Sequence, residues 1–189
     1  RTLPGETVGH MLGNFLGAGR LNFSLDGTRL AVSNQDGLPR VWDLATGKPV
    51  LSLVGHTELC WAIAYSPDGK LLATGGNDGL VKIWDAQSGA ELQSMQMASI
   101  FVNGVEFSPD GVQLVSVDDS GYLVVWDVAT GESVLSLTNP SVGGFTSVHF
   151  LRDAISPLQL GRKALAVNVS DVAAMGGTPL DAFVSIAIP

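Results

Sequence analysis

His56 and Cys60, four residues apart with Glu58 between them, are the residue types of a thiol nucleophile and its base. On an extended segment their side chains would face the same way but stand about 13 Å apart. Proton transfer needs hydrogen-bond reach, so the spacing expects a structural role for His56 and a small core residue at Cys60. Asp118 and Asp119 form a two-carboxylate stretch in a turn, expected to be solvated. Trp42, Trp84 and Trp126 have the bulk of aromatic platforms, yet each stands at the same place in a repeated unit, which expects packing. One further carboxylate, Asp171, lies alone in "GRKALAVNVSDVAAMGG", residues 161–177. No set of His, Cys or Asp has metal-ligand spacing, and no glycine pattern matches a phosphate loop.

The elements that hold these residues recur with a period of 42. "VWDLATG" at 41–47, "IWDAQSG" at 83–89 and "VWDVATG" at 125–131 keep that spacing, as do "FSLDG" at 23–27, "YSPDG" at 65–69 and "FSPDG" at 107–111. Each unit holds four short apolar runs separated by turn chemistry, with Asp-Gly suited to a hairpin that needs positive φ at the glycine. Four strands of about five residues make an antiparallel sheet. A period in the low forties with Trp-Asp closing the third strand is the pattern of one propeller blade.

On these residues the chain resembles the WD-repeat β-propeller family over about 10–150, three times in register. The resemblance implies a buried hydrogen-bond network of His, Ser or Thr, Asp and Trp in each blade. Blade two offers His56, Thr74, Asp78 and Trp84; blade one offers Ser33, Asp36 and Trp42. Blade three offers Ser116 and Trp126, with Ser120 where the Asp belongs and "QMA" where Gly-His belongs. The resemblance also implies a partner-binding rim, carried over as Gln35 in blade one, Leu59, Trp61 and Asn77 in blade two, and Phe101, Asn103 and Asp119 in blade three. Trp61 stands outside the repeated tryptophan position, so it is read either as a binding anchor or as cover for a blade edge.

A fourth blade begins with "GFTSVHFLRD" at 144–153 and is not completed. Ser156-Pro157-Leu158-Gln159 is a capping box with proline at the first helical position. Leu158, Leu165, Val169, Val172 and Met175 make one stripe, and Gly176-Gly177 a stop, so a helix is expected there, followed by a strand at 182–188. The fold class expected is therefore mainly β: three four-stranded antiparallel WD-type blades and a partial fourth, then one α-helix and a strand. Residues 148–189 are similar to the thiamine-monophosphate kinase family. That likeness implies Mg²⁺ and ATP, with Asp171 of Asn-x-Ser-Asp as a metal-site carboxylate. The family's Gly-Asp-Asp motif is not found, and Ser141-Val142 stand where its Thr-Asp belongs. Asp171 is thus expected to be a vestige that holds no metal, and the chain to need no cofactor. Two domains are expected, 1–147 and 148–189, with a junction near 140–150.

The 189 residues carry a formal charge of −8, and residues 1–150 hold 7 basic against 15 acidic side chains. An acidic surface repels phosphate backbones, so nucleic acid is excluded as the expected partner. No apolar run is long enough to span a membrane, and no signal peptide is evident at the N-terminus, which together expect a cytoplasmic protein. The function expected is a non-catalytic protein-interaction module or scaffold, natural fusion or chimera. Two alternatives stand beside it: an inactive or complementing fragment of an ATP-dependent thiamine-phosphate kinase, or an engineered recombinant with no evolved function. Three blades cannot close a ring, so the chain is expected to pack its tail on the last blade or to form a homo-oligomer.

Overall fold

The computed structural model describes residues 20–34, 36–98 and 101–138, together with the backbone of 149–150, 163–168 and 183–188. Three consecutive four-stranded antiparallel sheets follow one another. Blade one is β1 (Leu21–Phe23), β2 (Arg29–Val32), β3 (Arg40–Asp43) and β4 (Lys48–Ser52). Blade two is β5 (Cys60–Tyr65), β6 (Leu71–Gly76), β7 (Leu80–Asp85) and β8 (Glu91–Gln96). Blade three is β9 (Val102–Phe107), β10 (Gln113–Asp118), β11 (Tyr122–Asp127) and β12 (Ser133–Thr138). Each is a meander in which sequence neighbours pair.

The turns explain why the unit repeats so faithfully. Ser66 Oγ donates to Asp68 Oδ1 at 2.7 Å, the Lys70 amide donates to the same oxygen at 3.1 Å, and the Leu71 amide donates to Ser66 Oγ at 2.9 Å. Gly69 follows at φ 73°, the left-handed region that glycine enters without a Cβ penalty. Ser24/Asp26 and Ser108/Asp110 build the same knot. At the third turn the Asp of each Trp-Asp accepts from the residue three ahead: Thr46, Ser88 and Thr130.

Both faces of a middle blade are buried, so its central strands read as nearly continuous apolar runs. Alternate residues serve alternate neighbours. Ala31, Val41 and Leu53 of blade one pack on Ile63, Leu72 and Trp84 of blade two. Forty-two residues on, Ala73, Ile83 and Met95 pack on Val105, Leu114 and Trp126 of blade three. Each fully buried large side chain contributes about 1.5–3 kcal/mol. The first strands lie side by side, β1 by β5 and β5 by β9, and Asn22 Oδ1 accepts the Tyr65 amide at 3.0 Å across the first of these seams.

Bulges recur at two places. In β5 the register passes from Cys60↔Gly76 to Ala62↔Gly75, leaving Trp61 as the extra residue; in β9 it passes from Val102↔Asp118 to Gly104↔Val117, leaving Asn103. The fourth strands bulge in the same way at Val50, Leu92 and Val134. Those three apolar side chains are 44, 53 and 55% exposed, because the bulge turns them out of the sheet.

The tail corrects one expectation. Lys163–Asn168, inside the expected helix, is a strand, β14. It pairs antiparallel with β13 (His149–Phe150) and β15 (Phe183–Ile188) in a three-stranded sheet ordered β13-β14-β15. A strand apolar on both faces cannot be told from a buried helix segment by periodicity alone, and "KALAVN" fits either. The rest of the expected helix, from the Ser156 capping box to Leu158 and from Val169 to Met175, lies outside the described residues, as does Asp171. β15 falls on the expected final strand. β13 lies beside β9, as β9 lies beside β5, so it takes the place of a next first strand. Among the described residues there is no helix, and none long and apolar enough to cross a membrane.

Candidate functional site

The residues singled out by sequence converge on one end of the blades, where β5 and β9 begin and the β6–β7 and β10–β11 turns fold over. Beneath that end lies a buried network in blade two. The Trp84 indole N–H donates to Thr74 Oγ1 at 2.8 Å, and Thr74 Oγ1 lies 2.8 Å from His56 Nε2. His56 Nδ1 lies 2.9 and 3.0 Å from the two oxygens of Asp78. An ionised carboxylate only accepts, so Nδ1 carries the proton; a neutral ring then leaves Nε2 bare to accept the Thr74 hydroxyl. Burial lowers the His56 pKa, with the Asp78 charge opposing it. Asp78 also accepts the Thr57 amide at 3.0 Å and the Leu80 amide at 3.1 Å, which ties the lead-in of β5 to the β6–β7 turn.

Glycines let this assembly close. A Cβ on Gly76 would lie 2.6 Å from His56 Nδ1, and one on Gly75 would lie 2.5 Å from Val102 Cγ1 of the next blade. Behind the network the buried Lys82 ammonium lies 3.0 Å from both Glu91 oxygens and 3.1 Å from Ser94 Oγ.

Blade three keeps the tryptophan–hydroxyl bond and replaces the rest. Trp126 Nε1 donates to Ser116 Oγ at 2.8 Å, and Ser116 Oγ donates to Met97 Sδ at 2.9 Å. Asp118 accepts the Tyr122 amide at 2.8 Å and the Ser120 amide at 2.9 Å. Tyr122 is the repeat equivalent of Leu80, so Asp118 caps the turn from two residues earlier than Asp78 does. Asp118 is fully buried, which corrects its reading as a solvated partner of the exposed Asp119.

Blade one is different again. The Ser33 hydroxyl lies 3.1 Å from the Trp61 carbonyl and 3.3 Å from that of Arg20. Asp36 accepts the Leu38 amide at 2.9 Å and pairs with Arg40 at 2.9 Å. Among the described residues no hydrogen bond joins Ser33, Asp36 and Trp42 to one another. Among the described residues Ser33 serves the seam between blades.

The rim residues are distributed as follows. Leu59 and Asn77 meet through the Asn77 amide and Leu59 carbonyl at 2.8 Å. Trp61 and Asn103 are the bulge residues of β5 and β9, both half-buried, and Phe101 and Asp119 are exposed. Asn77 Oδ1 is buried with no hydrogen-bond partner among the described residues. Gln35 lies outside the described residues. Blade one's β2–β3 turn joins the rim through the Cys60 amide, which donates to the Asn34 carbonyl at 3.2 Å.

Among the described residues Cys60 makes no hydrogen bond to a base. Cys60 is buried, and burial raises its thiol pKa far from the reactive range. Among the described residues no three His, Cys, Asp or Glu side chains gather as a metal site. At the opposite ends of the first strands a cleft of about 330 Å³ is lined by Asn22, Phe23, Tyr65, Ser66, Glu106 and Phe107.

Met97 and Asp118 were missed by sequence because they stand one and two positions off the 42-residue frame. A carboxylate ending the apolar strand "QLVSVD" was the available signal for Asp118.

Comparison with known proteins finds likeness to two families. A family model described as WD domain, G-beta repeat matches residues 47–85 and 91–127. One described as AIR synthase related protein, N-terminal domain, matches 118–189, so 118–127, which includes β11, falls under both. Thiamine-monophosphate kinase of Bacillus subtilis (strain 168) is 57% identical over 42 residues, 22% of this chain and 13% of that protein. Thiamine-monophosphate kinase of Pyrococcus abyssi (strain GE5 / Orsay) is 51% identical over 37 residues, 20% of this chain and 12% of that protein. The matched stretch thus spans only about an eighth of these curated relatives. Segments similar to WD repeats and to thiamine-monophosphate kinase stand in one chain.

Proposed function

We propose that the chain is a non-catalytic protein-interaction module whose rim of Leu59, Trp61, Asn77, Phe101, Asn103 and Asp119, extended by Gln35, receives a protein partner. WD repeats generally serve protein–protein contact, and the observation that carries the reading is the pair of bulges. Trp61 and Asn103, one repeat apart, are each released from the ladder at the same end of adjoining blades. Bulges re-aim side chains, and a half-buried tryptophan is the residue type that anchors interfaces. Asn77 Oδ1, unpartnered among the described residues, supports the same reading, since a buried acceptor without a donor costs about 1–3 kcal/mol. The test is affinity capture with wild type against Trp61→Ala and Phe101→Ala, compared protein by protein. A set of partners lost from both variants, with melting temperature kept, is expected; an unchanged set overturns the reading.

The family matches over 118–189 favour a second reading, a thiamine-phosphate-kinase-like fragment that uses ATP and Mg²⁺ only with residues from another chain. Asp171 alone does not make an octahedral site, and the described residues add no carboxylate cluster to it. Saturable Mg²⁺-dependent ATP binding lost in Asp171→Ala would favour this reading over the first. Self-association belongs with either, because three blades do not close a ring.

A further inference from the structure

The internal repeat gives each seam between blades a counterpart. Where the β1–β2 and β5–β6 turns meet, blades one and two bring together Leu25, Arg29, Tyr65, Gly69 and Ala86. The same positions 42 residues on, between blades two and three, are Pro67, Leu71, Phe107, Gly111 and Val128. The approach is alike in both: a Cβ on Gly69 would lie 3.6 Å from Leu25 Cβ, and one on Gly111 would lie 3.6 Å from Pro67 Cδ. At these positions the second seam is apolar and filled, with Phe107 3% exposed and Leu71 and Val128 packed on the core that holds Trp126. In the first seam arginine replaces the leucine, tyrosine the phenylalanine and alanine the valine.

The exchange makes room and supplies donors. A recess of about 300 Å³ lies between the two blades, and it shares Ser24, Leu25 and Tyr65 with the cleft described above. Its lining residues are all described, and it stands at the far end of β1 from Arg20. The Tyr65 hydroxyl is buried and has no hydrogen-bond partner among the described residues. The Arg29 guanidinium reaches across the seam to the Ala86 carbonyl through a bond of 3.4 Å. Burial raises the Tyr65 pKa, with Arg29 opposing and Asp26 adding to it, so the hydroxyl keeps its proton and can donate. Two donors therefore meet in one recess, and their occupant is an acceptor. Charge decides which kind. Arg29 is the one cation of the lining, while Asp26 and Asp68 both line it and Asp43 faces Arg29 in the ladder. An anion would meet more carboxylates than guanidiniums; a neutral carbonyl takes the same bonds without that repulsion.

We propose that this recess binds an amide carbonyl between the Tyr65 hydroxyl and the Arg29 guanidinium, with an apolar group beside it against Leu25, as a peptide segment carries them. Leu25 is 68% exposed and forms the apolar wall. The site lies at the end of the blades opposite the rim of Trp61 and Phe101 and does not rest on that reading.

Nuclear magnetic resonance titration of the full chain with N-acetylleucine amide tests it. Saturable shifts at Tyr65 and Ala86 are expected, in the millimolar range proper to so small a ligand. Tyr65→Phe and Arg29→Leu install the residues that the second seam already carries, so each is expected to fold. The dissociation constant should rise about fivefold in Tyr65→Phe, the worth of one hydrogen bond, and at least as much in Arg29→Leu. As a second measure, Tyr65→Phe removes a hydroxyl without a partner among the described residues, so the melting temperature should hold. A marked fall would give that hydroxyl a partner within the chain and overturn the site. No saturable shift, or equal constants in wild type and Tyr65→Phe, overturns it as well. N-acetylleucine with its free carboxylate is the control, and tighter binding of it than of the amide overturns the choice of a neutral ligand.

Discussion

The sulfur of Met97 accepts the Ser116 hydroxyl at 2.9 Å, in the place that the His56 imidazole occupies over Thr74 one blade earlier. The tryptophan–hydroxyl bond is the same length in both blades. A thioether is a weak acceptor and cannot pass the chain on to a carboxylate. The network therefore ends at Met97 in blade three and runs on to Asp78 in blade two.

Thr74→Val, which keeps shape, is expected to destabilise more than Met97→Leu. The first leaves the Trp84 N–H and the His56 Nε2 without partners in a buried site, at about 1–3 kcal/mol for each. The second leaves one serine hydroxyl without an acceptor, about 1 kcal/mol. Urea unfolding at neutral pH ranks them, and equal costs would show that the sulfur matters as much as the imidazole.

Stability is expected to fall on mild acidification through His56. Its folded pKa lies below the ordinary imidazole value because of burial, so the unfolded chain binds the proton first. The contribution is complete above about pH 6.5 and is lost as pH falls below it, at no more than about 1.4 kcal/mol per unit. Unfolding free energy measured from pH 8 to 5 should slope in wild type more than in His56→Gln; parallel curves would exclude this site.

A second loss is expected in stronger acid. Hydrogen bonds from Ser24 and Thr28 hold the Asp26 carboxyl down to about 2, and bonds from Thr46, Ser88 and Thr130 lower Asp43, Asp85 and Asp127. Their contribution is present above the unfolded value near 3.8 and disappears as pH falls below it. Circular dichroism against pH should place the acid transition between about 4 and 2. Asp85→Asn should reduce its steepness.

Cys60 is expected to react with alkylating reagents only when blade two opens. Its thiol is buried and its pKa raised by burial. At pH 8 labelling of the folded chain should be slower than that of the urea-unfolded chain by a factor on the order of the opening equilibrium. Equal rates would place the thiol at the surface.

How far the sequence could be read depended on whether a residue kept to the repeat frame. The Asp-Gly turns, the Trp-Asp pairs and the strand order of three blades follow from local chemistry that recurs every 42 residues, and the blades form where that chemistry stands. Met97 and Asp118 act from outside the frame, reaching the same spot from a neighbouring backbone position, and no period reveals that. Asp36 kept the frame, yet its carboxylate goes to Arg40, four residues along its own turn. Lys163–Asn168 failed for another reason: six mostly apolar residues satisfy a helix stripe and a doubly buried strand equally, and pairing with β13 and β15 decided between them.

The bulges at Trp61 and Asn103 have a consequence for how such a chain changes over generations. Neither residue has an opposite number in the ladder, so exchanging it alters what the blade presents while the pairing of every other residue stays in step. Two neighbouring blades already differ there, indole in one and carboxamide in the other, on an otherwise common frame. What the rim presents can thus drift without the fold drifting with it.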